Sequence, residues 1–89
     1  MEEQDKHYVY MLRCKDGTLY TGYTTNLKKR VMMHELGKGA KYTRGRGPFQ
    51  VVFCQSFVTK QEAMKTEYKI KQLNRKEKEQ LINTPEGRV

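Results

Sequence analysis

Glu67 stands where a carboxylate is expensive. If the chain from Lys60 to about Leu73 is helical, then at 100° per residue Glu67 falls about 40° from Ala63 and about 60° from Ile70, along the apolar stripe. A charge on that side must be compensated by a cation, a metal or hydrogen bonds. It is therefore either a carboxylate paired with a Lys or Arg at the edge of the core, or a metal-binding or catalytic group. A second conflict lies upstream: in a helix from Leu27 to about Leu36, Arg30 and His34 stack i,i+4 beside the Leu27–Val31 seam rather than opposite it. Arg at a cleft edge suits bidentate phosphate binding, and His can exchange a proton near neutral pH. Read singly, they are a snorkelling arginine and a half-buried histidine. Tyrosine is the third signal, because four of the six, Tyr8, Tyr10, Tyr20 and Tyr23, fall within 17 residues.

The elements that must position these groups can be read in order. Two β-rich runs, Tyr8 to Cys14 and Thr18 to Thr24, flank Lys15-Asp16-Gly17, and Asp-Gly is a strong hairpin signal. Turn length decides which tyrosines share a face. A two-residue loop sets Tyr10 opposite Tyr23 and sends Tyr20 to the other side. A three-residue loop closed by a Gly17 bulge sets Leu12 opposite Tyr20 and Tyr10 opposite Gly22, so that Tyr10 and Tyr20 face the same way. Lys-Asp-Gly suits the second register. Thr25 and Asn26 are both competent N-caps for the first helix, which stops at Gly37.

The following segment, Gly37 to Pro48, is too rich in glycine for a regular element and reads as an exposed basic loop. Phe49 to Phe57 has the Val and Phe density of a central or nearly buried strand, and Thr59 with Glu62 forms a capping box for the second helix. A third, charged helix covers Arg75 to Ile82. The order ββαβαα predicts an α+β fold, a three-stranded antiparallel β-sheet flanked by helices.

A chain of 89 residues is one domain's worth, with an expected ordered core over about 7–82, a polar N-terminal tail and a frayed TPEGRV end. The net charge of +8 makes polyanions the first partners to consider. It is concentrated: residues 1–24 carry −1, residues 25–50 carry +6 and residues 51–89 carry +3. The basic residues lie in a Gly-rich loop rather than on a broad amphipathic helix, which argues against a membrane surface. Cys14 and Cys54 form no CxxC, and neither His7 nor His34 has ligand spacing around it, so a structural zinc is not expected. The start of the chain does not resemble a signal peptide, and the expected setting is cytoplasmic with reduced thiols.

Taken together, Tyr8-Val9-Tyr10, Tyr20-Thr21-Gly22, Thr24 and Asn26, Arg30 with His34, and Ala63-x-x-x-Glu67-x-x-x-Lys71 resemble the GIY-YIG nuclease domain. The resemblance runs from Tyr8 to about Ile82 and is nearest to the small stand-alone bacterial members. It implies a divalent-metal-dependent endonuclease that hydrolyses phosphodiester bonds. Carried over by position, Tyr10 would be the general base toward water and Tyr20 the second-triplet tyrosine. Arg30 would hold the phosphate, His34 would assist the tyrosine, and Glu67 would be the single ligand of one Mg²⁺ or Mn²⁺ ion. A solitary carboxylate suits Mg²⁺, which keeps most of its waters, whereas two-metal chemistry would need a carboxylate cluster.

Three positions depart from the family pattern. Tyr8 replaces Gly, Thr21 replaces Ile, and position 79 is Glu where many family nucleases carry asparagine; Asn74 lies nearby.

The expected partner is nucleic acid, DNA ahead of RNA and branched or damaged forms included, with a protein partner as a further source of specificity. Lys28 and Lys29 on the first helix, with Lys38, Lys41, Tyr42, Arg44 and Arg46 in the loop, would contact phosphates and stack one base. Such charge-steered contact selects shape over sequence. The competing class is a nucleic-acid-binding or adaptor module that keeps the fold without efficient chemistry.

Overall fold

The computed structural model describes residues 6–83. The expected N-terminal tail and the TPEGRV end lie outside them, except for Lys6. Strand β1 spans His7–Arg13, β2 Leu19–Thr24, helix α1 Leu27–Glu35, strand β3 Gln50–Phe57, helix α2 Lys60–Lys71 and helix α3 Arg75–Ile82. The three strands form one antiparallel sheet in the order β2-β1-β3, so β1 is central and its alternating residues face two different layers, while β3, expected to be central or nearly buried, is an edge strand with only Phe53 buried.

The turn between β1 and β2 settles the register. The Gly17 amide donates to the Cys14 carbonyl at 2.9 Å, the Cys14 amide donates to the Thr18 carbonyl at 2.8 Å, and Gly17 adopts φ +88°. That left-handed residue closes a three-residue loop, which Gly tolerates because it has no Cβ. Asp16 braces the turn by accepting from the Thr18 amide and hydroxyl. Tyr10 consequently pairs with Gly22 and Leu12 with Tyr20, the longer-loop register.

One face of β1 carries Val9 and Met11, which pack with Phe53, Ala63, Ile70 and Ile82 into the hydrophobic core beneath α2 and α3. Thr21, which pairs with Met11, faces the same layer, and its buried hydroxyl has no hydrogen-bond partner among the described residues. The opposite face carries Tyr10 and Leu12, both fully buried, and meets α1 through His34. Asn26 rather than Thr25 caps α1, accepting from the Lys29 amide. Helix α2 stops at Lys71, short of Leu73, because Asn74 opens α3 with a reciprocal capping box to Glu77.

The basic loop differs from its expected form. A 3-10 turn over Lys41–Thr43 interrupts it, and Thr43 is buried. The loop is also tied to the hairpin turn, because the Lys15 amide donates to the Arg46 carbonyl at 2.9 Å and Arg46 forms an ion pair with Asp16.

Candidate active site

Tyr10 is the centre of the arrangement. The tip of its ring lies over Gly22, where a Cβ would fall 2.6 Å from the phenolic oxygen and 2.7 Å from Cζ. Glycine opposite Tyr10 is therefore a matter of space. From that position Oη reaches α1, 2.9 Å from His34 Nε2, while Arg30 Nε donates to it at 3.3 Å. The i,i+4 spacing of Arg30 and His34 delivers both groups to one phenol.

The hydrogen-bond partners fix where the protons sit. The Thr43 hydroxyl lies 2.9 Å from the Ala40 carbonyl, which can only accept, so the hydroxyl donates there. Towards His34 Nδ1, 2.7 Å away, the Thr43 oxygen must then accept, and Nδ1 carries the proton. In neutral imidazole this leaves Nε2 as the acceptor, and the Tyr10 hydroxyl donates to it. A single direction of donation runs from Arg30 through Tyr10, His34 and Thr43 to the Ala40 carbonyl.

Burial enforces these states. It pushes the Tyr10 phenol up to about 12, despite the opposing hydrogen bond from Arg30; Tyr20 and the Glu67 charge add to the rise. Burial, then the nearby Arg30 charge, lowers the pKa of His34, with Glu35 working the other way. Arg30 is held in its charged form first by its bond to Tyr10 and also by Tyr20. Its bond to Tyr10 uses Nε, which leaves donors of the guanidinium fork for an anion. A surface depression lined by Thr24, Thr25, Asn26, Lys29, Arg30 and Met33 lies beside it.

Aromatic rings pack around the phenol. Tyr20 lies with its centroid 6.2 Å from that of Tyr10 and 5.2 Å from that of His34, and Tyr42 stacks on Tyr20 at 6.1 Å. Arg46 covers Tyr42, 4.8 Å from its ring centre, and donates from Nε to the Tyr42 carbonyl. Phe49 meets His34 edge-on at 5.9 Å.

The structure thus gathers Tyr10, Tyr20, Arg30, His34 and Tyr42. Glu67 is joined to them by charge, through its effect on Tyr10, rather than by a hydrogen bond among the described residues. Its side chain is 14 % exposed and pairs with Lys71 at 3.2 Å, the core-edge ion pair that position alone allowed. No three His, Cys, Asp or Glu side chains come together as a metal cage among the described residues. Lys28, Lys29, Lys38, Lys41 and Arg44 are exposed. Asn74 caps α3, and Glu79 is held by Arg13 at 3.1 Å and Arg75 at 2.9 Å, so neither stands in for the family asparagine as a ligand of this cluster.

Sequence reasoning missed Thr43 and Gly39. A Cβ on Gly39 would fall 2.4 Å from His34 Nδ1, so the chain after α1 passes directly against the imidazole. The available signal was the Gly39-Ala40 pair, two of the smallest residues ahead of an uncharged Tyr-Thr step in a basic stretch.

Comparison with known proteins agrees with this architecture. The family model described as the GIY-YIG catalytic domain matches residues 6–80. The chain is 63 % identical over 86 residues to the UPF0213 protein OB0043 of Oceanobacillus iheyensis, covering 97 % of this chain and 98 % of that one. The solution NMR structure of the UPF0213 protein BH0048 from Bacillus halodurans superimposes with a TM-score of 0.61 at 57 % identity, covering 91 % of this chain and 86 % of that one. The solution NMR structure of the protein EF2693 from E. faecalis gives the same TM-score at 45 % identity, covering 90 % and 85 %. With its hairpin tyrosines, its Arg-His helix and its matching relatives, the chain belongs to the GIY-YIG family, among the small UPF0213 proteins.

Proposed function

We propose that this protein is an endonuclease that hydrolyses phosphodiester bonds of DNA with one divalent cation. The GIY-YIG domain is a nuclease-type domain, and its nucleases typically use a divalent metal. The observation that carries the reading is the one-way chain of hydrogen bonds through Tyr10, which places a proton acceptor, His34 Nε2, directly behind the phenol.

In this reading Arg30 binds the phosphate beside the Tyr10 hydroxyl and fixes its orientation. Tyr10 takes a proton from the attacking water as its own proton passes to His34 Nε2. The hydroxide so formed bonds to phosphorus, the ester P–O bond opposite it breaks, and the leaving oxygen is protonated from solvent. Arg30 Nε and the newly formed Nε2–H both donate to the Tyr10 oxygen as its proton passes on. Tyr20 shields that side from water. One carboxylate with no cage around it among the described residues fits a cation such as Mg²⁺ that keeps its waters, and Glu67 would hold it. When bound, the cation supplies positive charge to the phosphate and the leaving oxygen. Lys71 is half-exposed and can leave Glu67 for solvent.

A second reading, a binding module with the same fold, is favoured by Glu79, which ties α3 to β1 through Arg13 and pairs with Arg75 within α3 rather than supporting a metal site. The deciding experiment compares wild type, Glu67→Ala, Arg30→Ala and Tyr10→Phe, purified in parallel, for nicking of DNA with Mg²⁺ or Mn²⁺. Loss of nicking in all three supports the nuclease reading. Activity that survives Glu67→Ala overturns the proposed site, and salt-steep binding without cleavage supports the module. Among the described residues, no helix is long and apolar enough to cross a membrane.

A further inference from the structure

We propose that Thr43 is a positioning residue, which sets the tautomer of His34 so that its unprotonated nitrogen faces Tyr10. Its catalytic consequence rests on the nuclease reading above; the tautomer itself does not. Histidine presents Nε2 as an acceptor only if Nδ1 is protonated and that proton has somewhere to go. Here the only group within hydrogen-bond distance of Nδ1 is the Thr43 hydroxyl, 2.7 Å away, among the described residues. A hydroxyl can accept or donate, so by itself it would select neither tautomer. The selection comes from the Ala40 carbonyl, which takes the only proton of Thr43 at 2.9 Å and leaves the oxygen as an acceptor.

The surroundings make this a built contact. Thr43 and His34 are each 1 % exposed, so water cannot substitute for the hydroxyl. The turn over Lys41–Thr43 places Thr43 by donating its own amide to the Ala40 carbonyl at 3.1 Å, the same oxygen that receives its hydroxyl. Gly39 lets the chain pass against the imidazole, where any Cβ would collide with Nδ1. The Phe49 ring closes another side, and the Phe49 amide donates to Glu35, next to His34 on α1. The basic loop is therefore more than a phosphate-binding surface. It carries, in one buried side chain, the part that aims the proton acceptor.

The consequence for the reaction is specific. When Tyr10 gives its proton to Nε2, His34 becomes an imidazolium whose Nδ1–H bond to Thr43 is already formed, so no group must rotate as charge moves. With the opposite tautomer, Nε2–H would point at Tyr10, and the phenol would have no acceptor on α1.

The test uses the full chain, labelled with ¹⁵N. Long-range ¹H–¹⁵N correlation at a pH where His34 is neutral reports which ring nitrogen is protonated. Wild type should show protonated Nδ1 and bare Nε2. Thr43→Val, which keeps the volume and removes the hydroxyl, should lose that preference, and Thr43→Ser should retain it. In the nicking assay Thr43→Val should lower kcat about 10- to 100-fold with KM unchanged, because Arg30 and the exposed lysines are untouched, and Thr43→Ser should restore it. Wild type with protonated Nε2 overturns the proposal without any variant, even if Thr43→Val fails to fold. So does Thr43→Val with the wild-type tautomer, or a lost tautomer with unchanged kcat. If wild type cuts no nucleic acid, the nuclease reading fails, while the tautomer measurement still decides the role of Thr43.

Discussion

Replacing Gly22 with alanine tests the geometry of the site without assuming what it does. Gly22 is not in the left-handed region, so the change brings no backbone strain, and its whole effect is steric. The new Cβ would fall 2.6 Å from Tyr10 Oη and 2.9 Å from Tyr20 Cε2, against about 3.5 Å for an unstrained carbon contact. The tip of the Tyr10 ring must therefore move by ~1 Å, enough to break a 2.9 Å bond to His34 Nε2. Overpacking of this kind costs about 1–3 kcal/mol, and a buried nitrogen left without a donor adds about 1–3 kcal/mol. Reduced freedom of the unfolded chain offsets about 0.4–1 kcal/mol.

The net loss is about 1–5.5 kcal/mol with a centre near 3, and ~3 kcal/mol lowers Tm by about 12–24 °C for a domain of this size. Gly17→Ala is the control: its φ is +88° and no atom lies within 4 Å, so it should cost about 1–2 kcal/mol and leave the site alone. The assay is thermal unfolding together with the His34 ring resonances of both variants. If Gly22→Ala unfolds with wild type and keeps the wild-type His34 resonances, Tyr10 does not lie over β2 as described.

Four further outcomes are expected. Because His34 is held below its ordinary pKa, the unfolded chain binds the extra proton as pH falls below about 6.5, so stability should decline there and level off below the folded value; His34→Gln, followed by urea unfolding at several pH values, should flatten that dependence. At the alkaline end Tyr10 keeps its proton up to about 12 when folded, so stability should fall by ~3 kcal/mol between pH 10 and 12, and Tyr10→Phe should remove the fall. Glu79→Asn, which introduces the common family residue, should lower Tm by freeing Arg13 and Arg75, and leave kcat within about twofold, as measured by the nicking assay. In nucleic-acid titrations against salt, Lys29→Ala and Arg44→Ala should each reduce the slope by about 1, and Arg46→Ala by less, because Asp16 already matches the Arg46 charge.

The hairpin, the three helices and their order were legible because of local signatures: Asp-Gly for the turn, Asn26 (beside Thr25) and Thr59 for the first two caps, and apolar spacing for the buried faces, whereas the Asn74 cap came only with the structure. The shared face of Tyr10 and Tyr20 was legible only through the turn, since one residue of loop length reverses it. Thr43 was not legible. Nothing local distinguishes a threonine in a glycine-rich basic stretch from a solvated one, and its burial depends on a tertiary contact with His34, nine residues back. The ion pair between Asp16 and Arg46 was hidden for the same reason, joining a hairpin turn to a loop 30 residues away. Gly22 was visible as part of a motif, but its reason, the ring lying across it, exists only once the strands are paired.

The raised pKa of Tyr10 constrains how the proposed chemistry can proceed. With the phenol near 12, forming a free phenolate at pH 7 would cost ~7 kcal/mol before any bond to phosphorus is made. Arg30 alone does not remove that cost, because its hydrogen bond already opposes the burial that outweighs it. A phosphate bound to the same guanidinium would draw part of its positive charge away from the phenol, raising the cost further. His34 is no better as a lone base, since burial lowers its pKa. Neither group is thus suited to hold a separated charge, yet each is suited to pass a proton on. Under the proposed mechanism, passing the phenolic proton to Nε2 as the water proton arrives avoids that cost, because Tyr10 is then not left ionised. A relay of that kind depends on the alignment of its members more than on the acidity of any one. In the proposed relay that alignment would rest on Gly22, which gives Tyr10 room, and on Thr43, which bonds to His34 Nδ1.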